Sequence, residues 1–152
     1  MYEYRIKIVK VVDGDTVDVD IDLGFGMTYK KQRVRMMGID TPESRTRDLV
    51  EKQFGKASKK HIKKLLESAD KLTLVSHDKG KFGRILGEIF AHYNDGHPVY
   101  GNEISVNQQM IDDHMAAPYS GQSKQDIENI HLANRKILQE QGIVEVQGEL
   151  DV

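Results

Sequence analysis

Thr16-Val17-Asp18-Val19-Asp20-Ile21-Asp22-Leu23 alternates without a break between polar and apolar side chains. A period of two marks a strand with one buried face, because successive Cβ atoms point to opposite sides of a sheet. Val17, Val19, Ile21 and Leu23 therefore face a core, while Thr16, Asp18, Asp20 and Asp22 face away from it. The spacing Asp18-x-Asp20-x-Asp22 mimics the opening of an EF-hand loop, which needs Gly at its sixth position and Glu at its twelfth. Those positions hold Leu23 and Tyr29, so the segment is a strand.

The pattern extends in both directions. Upstream, Asp13-Gly14 reads as a tight turn, and residues 2–12 alternate as a strand with Tyr2, Tyr4, Ile6 and Ile8 on one side. Downstream, Gly24-Phe25-Gly26 is a loop, and 29–38 is a third strand with Lys31, Arg33 and Arg35 on a shared face. An acidic row opposite a basic row favours cross-strand pairing, and Arg33 is read as a partner of that acidic row. Phe54, Ala57, His61 or Ile62, Leu65 and Leu66 recur at helical spacing between about 49 and 69, with Lys59, Lys60, Lys63 and Lys64 on the remainder. Leu72, Leu74 and Val75 mark a fourth strand, Asp78 to Lys81 a turn, 84–93 a fifth strand, and 94–98 another turn. A short helix fits 104–114. Ser123-Lys124-Gln125-Asp126 has the form of a capping box, so the last helix starts at Ser123 and runs to about Gln141, with Gly142 as its stop.

Three strands, a helix, two strands and two helices predict a small barrel, α+β in class. At 152 residues the chain suits one domain, expected over 1–142, with 143–152 as a loose acidic tail. With 38% hydrophobic and 30% charged residues it is neither a disordered chain nor a membrane protein. The absence of cysteine excludes disulfides, thiolate metal sites and cysteine nucleophiles. Met1 to Lys7 has no apolar segment of a secretory leader, so the expected location is cytoplasmic. Charge is uneven: residues 1–90 carry 19 Lys and Arg against 14 Asp and Glu, and residues 91–152 carry 3 against 10. The first part suits an anionic partner such as nucleic acid, although solvated lysine faces explain the excess equally well.

Two segments carry chemistry. Asp13-Gly14-Asp15-Thr16 taken alone is an ordinary turn. Arg33-Val34-Arg35-Met36-Met37-Gly38-Ile39-Asp40-Thr41-Pro42-Glu43 places two arginines, two carboxylates and a proline at the end of a strand, more charge than a structural role needs. Together with Glu51 to Ala57 at the start of a helix and Lys81-Phe82-Gly83-Arg84 opening a strand, these pieces resemble the staphylococcal nuclease (thermonuclease) family over about residues 5–140.

The resemblance implies an OB-type five-stranded β-barrel with three α-helices. It implies a Ca²⁺ site built from Asp15, Asp40 and the Thr41 carbonyl, an all-oxygen shell suited to a hard cation. It implies Glu43 as the general base or water-orienting group, with Arg35 and Arg84 holding phosphate oxygens. A guanidinium with its high pKa is a poor proton donor, which weighs against Arg84 as the acid. Lys81, Phe82, Leu86 and Tyr119 align with substrate contacts, Phe82 either stacking on a base or packing. The implied activity is Ca²⁺-dependent hydrolysis of the P–O5′ bond of DNA and RNA, single strands preferred, leaving 3′-phosphate ends, by a monomer. The chain departs from the family in Phe82 where Tyr is usual, in a lone Tyr119 where a tyrosine pair is usual, in a longer hairpin between Asp15 and Arg35, and in its acidic last third. The alternative is an OB-fold nucleic-acid-binding module without catalysis; a protein-interaction role for the acidic surface is compatible with either. None of the six histidines forms a convincing pair in the sequence, and His92 and His97 read as surface.

Overall fold

A computed structural model of the chain describes residues 2–79 and 83–146. Eleven elements follow in order: β1 (Tyr2–Asp13), β2 (Thr16–Gly24), β3 (Met27–Met36), β4 (Ile39–Asp40), α1 (Leu49–Ser68), β5 (Lys71–Lys79), β6 (Ile85–His97), β7 (Gly101–Ser105), α2 (Val106–Asp112), β8 (Ala117–Pro118) and α3 (Lys124–Glu140). The main sheet has the order β3-β2-β1-β5-β6-β7, and a parallel pairing of β3 with β6 closes β1, β2, β3, β5 and β6 into a barrel. This is the OB-type α+β architecture with three helices that the sequence implied.

β2 lies where its alternation places it. Val17, Val19 and Ile21 are buried, with Val34 and Met36 of β3 beside them, whereas Leu23 is exposed because β2 has already left the core on its way to the Phe25 turn. Asp18 stands opposite Arg33 and Thr16 opposite Arg35. β1 serves two neighbours in turn. It pairs with β5 through Tyr2 to Ile6 and with β2 from Ile6 to Asp13, with irregularities between Ile8 and Lys10 and between Val11 and Asp13. Ile6 is thus the point at which β1 changes partner.

α1 buries Phe54, Ile62, Leu65 and Leu66 against the barrel, which resolves the choice at 61–62 in favour of Ile62. Each such side chain contributes about 1.5–3 kcal/mol when removed from water. Asp48 caps the helix by accepting from the Val50 and Glu51 amides. α3 starts as its sequence predicts: the Ser123 hydroxyl accepts from the Asp126 amide at 3.2 Å.

Two features correct the sequence-based element order. The strand expected over 84–93 continues to His97 and folds back as a hairpin with β7, Ile104 opposite Ala91, so part of the segment read as a helix from 104 is strand. The helix begins at Val106 with Ser105 as its cap. β4 and β8 form a second, two-stranded sheet of their own, Ile39 opposite Pro118 and Asp40 opposite Ala117. Pairings of two residues have no periodicity to detect. At the other end, Val144 is buried in the core and Val146 packs against it, so ordered packing runs past residue 142. Among the described residues, no helix is long and apolar enough to cross a membrane.

Candidate active site

The β1–β2 turn, the end of β3 and the segment 36–44 meet at one end of the barrel. Asp15 sits at the start of β2, largely buried, and its backbone carbonyl accepts from the Met36 amide at 2.8 Å. That bond places the Asp15 carboxylate beside Arg35. Arg35 Nη2 lies 3.4 Å from Asp15 Oδ2 and 3.7 Å from Asp40 Oδ1, so one guanidinium nitrogen stands between two carboxylates that are 25 positions apart in sequence. The Arg35 Nη1 donates to the Met36 carbonyl at 2.9 Å, which fixes the plane of the group.

Each carboxylate is held from its far side. Asp15 Oδ1 accepts from the Thr16 hydroxyl at 2.9 Å, and Oδ2 accepts from the Thr41 amide at 3.1 Å. Asp40 Oδ2 is 2.7 Å from His131 Nε2, reached across 91 residues from α3, and His131 is buried. The sequence carried no sign of this partner, since the two residues are far apart along the chain. His61 pairs likewise with Asp113 at 2.7 Å, and His92 with the Thr73 hydroxyl at 2.9 Å. His97 is half-buried and stacked on Tyr100.

The segment carrying Glu43 is positioned by close backbone approach. A Cβ on Gly55 would lie 2.2 Å from the Glu43 carbonyl oxygen and 2.6 Å from the Ser44 nitrogen, so only glycine lets α1 pass so near the loop. Asp13 accepts hydrogen bonds from both the amide and the hydroxyl of Ser44, and the Glu43 amide donates to Glu51 Oε2 at 3.2 Å. The Glu43 side chain is exposed. Gly14 makes a second tight approach: a Cβ there would lie 2.9 Å from Ser58 Cβ and 3.0 Å from Thr41 Cγ2.

The remaining candidates are placed by strand pairing. Arg35 is in register with Leu86 across the parallel β3–β6 pairing, and half-buried Arg84 precedes that strand immediately. The Tyr119 amide donates to the Gly38 carbonyl at 2.8 Å, which brings this residue to the loop before Asp40. Lys81 and Phe82 lie outside the described residues. Asn107, which nothing in the sequence singled out, is buried and clips the segment from behind. It donates to the Met37 carbonyl at 2.8 Å and the Gly87 carbonyl at 3.2 Å, and accepts from the Ile89 amide at 3.1 Å.

The donors fit a hard cation. The two carboxylates meet one guanidinium beyond hydrogen-bond length, which leaves them lone pairs to spare. The Thr41 hydroxyl beside them is buried and has no hydrogen-bond partner among the described residues. Among the described residues no group of three or more His, Asp or Glu side chains forms a cage.

Comparison with known proteins gives the same constellation a lineage. The family model described as staphylococcal nuclease homologue matches residues 33–141, a span that holds Arg35, Asp40, Thr41, Glu43, Arg84 and Leu86. Asp15 lies before it and is joined to it by the contacts with Arg35 and Thr41. The thermonuclease of Staphylococcus hyicus is 32% identical over 89 residues, 58% of this chain and 49% of that protein. An uncharacterized endonuclease of Escherichia coli is 30% identical over 105 residues, 69% of this chain and 54% of that one. Endonuclease YhcR of Bacillus subtilis is 31% identical over 94 residues, 57% of this chain but 7% of that protein. The chain thus spans about half the length of the first two relatives. Motif, barrel and matched span agree: the chain belongs to the staphylococcal nuclease homologue family.

Proposed function

We propose that this protein is a monomeric Ca²⁺-dependent nuclease that cleaves the P–O5′ bond of DNA and RNA, prefers single strands, and leaves 3′-phosphate ends. The observation that supports it most is the Arg35 guanidinium held between Asp15 and Asp40 at 3.4 and 3.7 Å. Neither contact has the length of a good hydrogen bond, so Nη2 of Arg35 keeps its donors for a phosphate.

Asp15, Asp40 and the Thr41 carbonyl would hold the ion, which when bound supplies Lewis-acid polarisation of a phosphoryl oxygen. Arg35 and Arg84 bind the other non-bridging oxygens and stabilise the charge that gathers on them as phosphorus becomes five-coordinate. Glu43 orients a water in line with the departing oxygen and takes its proton as the new P–O bond forms. The P–O5′ bond breaks, the O5′ oxygen leaves with a proton from water or Arg84, and the phosphate stays on the 3′ side. Leu86 and Tyr119 are the proposed nucleotide contacts, and the family resemblance adds Lys81 and Phe82 to them.

The test is incubation with single-stranded DNA in Ca²⁺, in Mg²⁺ and in chelator, with Glu43→Ala alongside and the product ends identified. Expected is Ca²⁺-dependent cutting to 3′-phosphates, reduced about 10²–10⁴-fold in the variant. Cutting in Mg²⁺ alone removes the calcium assignment. Binding without cutting in any metal replaces the nuclease by a binding module.

A further inference from the structure

A second surface lies between β1 and α1. Beyond Ile6, β1 is paired with β2 alone among the described residues, and from Lys7 to Val11 no described strand lies along its other edge. The edge faces α1 across a groove of about 690 Å³. Its floor is apolar, with Ile6, Leu66 and Leu72 buried. Its walls are basic on both sides: Arg5, Lys7 and Lys10 from β1, Lys59 and Lys63 from α1, and Lys71 from β5. Two acids answer these six cations, Glu67 and Asp70, both at the end where α1 gives way to β5. Asp70 already accepts from the Asn94 amide at 2.8 Å. Among the described residues, none of the ion pairs includes Arg5, Lys7, Lys59, Lys63 or Lys71.

The groove and the candidate active site are linked through α1: Gly14, next to Asp15, packs on buried Ser58, and Lys59, the following residue of the helix, lines the groove. From Arg5 to Val11 a strand covers about 20 Å, at about 3.3 Å per residue. We propose that this groove carries the phosphate backbone of a polynucleotide leading away from the Asp15–Arg35–Asp40 cluster. The inference rests on the nuclease reading for its substrate and extends it to a surface outside the reaction centre. A polynucleotide carries one negative charge per residue along a continuous line, matching cations placed on both walls, and its sugars provide apolar surface for the floor. An acidic peptide added to the open edge of β1 is the competing occupant.

The experiment measures equilibrium binding of fluorescent 20-nucleotide DNA, single-stranded and duplex, to the full chain in chelator across a salt series. The wild type is compared with the triple variant Lys7→Gln/Lys63→Gln/Lys71→Gln and with Lys60→Gln/Lys64→Gln/Lys136→Gln, which removes equal charge from exposed positions outside the groove. The groove variant should lose at least about tenfold in affinity, and its single-strand log–log salt slope should fall by about 2. The control should lose less than about threefold, with both variants melting at the wild-type temperature. Equal losses in the two variants, or no loss in the groove variant, overturn the proposal. So does polyglutamate binding that depends on the three lysines while DNA binding does not. The assay involves no cleavage, so an inactive nuclease would show itself separately, as wild type that binds DNA and cuts none.

Discussion

Arg33 and Arg35 stand two residues apart on one face of β3, and their surroundings separate them completely. Arg33 is fastened to Asp18 by two hydrogen bonds of 2.9 and 3.2 Å, with its side chain 49% exposed. Arg35 is 20% exposed, touches two carboxylates at longer range, and spends its short hydrogen bond on a backbone carbonyl. The first pair is complete, with geometry satisfied on both sides. The second is an arginine positioned beside acids without being consumed by them. An outward strand position therefore yields a surface clasp or part of a candidate site according to what the chain brings back to it, here Asp40 with His131 behind it.

The sharpest way to break this contrast is to change each arginine to lysine. Arg35→Lys keeps the charge and loses the planar fork, so kcat/KM for DNA should fall about 10²–10³-fold. Arg33→Lys should change it less than about twofold. Steady-state cleavage assays decide, and equal losses would erase the distinction.

The support behind Asp40 comes next. His131→Ala frees this carboxylate on one side, and Ca²⁺ affinity of the full chain should weaken about 10–100-fold, as for other partners of ligating groups. Calorimetric titration with Ca²⁺ checks it, with His131→Gln expected to recover part of the loss through its amide donor. Unchanged affinity in both variants would remove His131 from the site's support.

A smaller effect is expected at the loop. Gly55→Ala forces α1 away from the Glu43 carbonyl, at the roughly 1–3 kcal/mol typical of overpacking. For a chain of this length that lowers Tm by about 2–4 °C per kcal/mol. Thermal melting with a parallel cleavage assay tests both the stability and the placement of Glu43.

The smallest effect concerns the clasp. Hydrogen bonding to Arg33 lowers the Asp18 pKa below its usual 3.8 against the opposing pull of burial, and raises that of Arg33. A depressed carboxylate stabilises the fold above its unfolded pKa and loses that contribution as pH falls through its folded value. Arg33→Gln should thus cost less than about 1 kcal/mol at neutral pH, a surface pair's range. The Tm difference from wild type should close below about pH 4. A gap that widens in acid would contradict the assignment.

Much of this was legible along the chain. β2 showed its period, α3 its Ser123 cap, and the Arg35-to-Glu43 segment its crowding of charge. β7 was not, because Ile104 is a lone apolar residue in a short strand that exists only against β6. The β4–β8 pairing, the Asn107 clip and the Asp13–Ser44 bond were invisible for the same reason: each is a contact between distant positions with no local signature.

The sequence by itself determined the periodicities, the helix caps, the barrel class and the set of charged residues offered to a site, since these depend on local geometry and on residue chemistry. Only the tertiary structure decided that one Arg35 nitrogen stands between Asp15 and Asp40, that His131 stands behind Asp40, and that the open edge of β1 meets a lysine-lined helix. Those outcomes depend on chain closure, because the parallel β3–β6 pairing and the packing of α1 and α3 bring together groups that no sequence window contains.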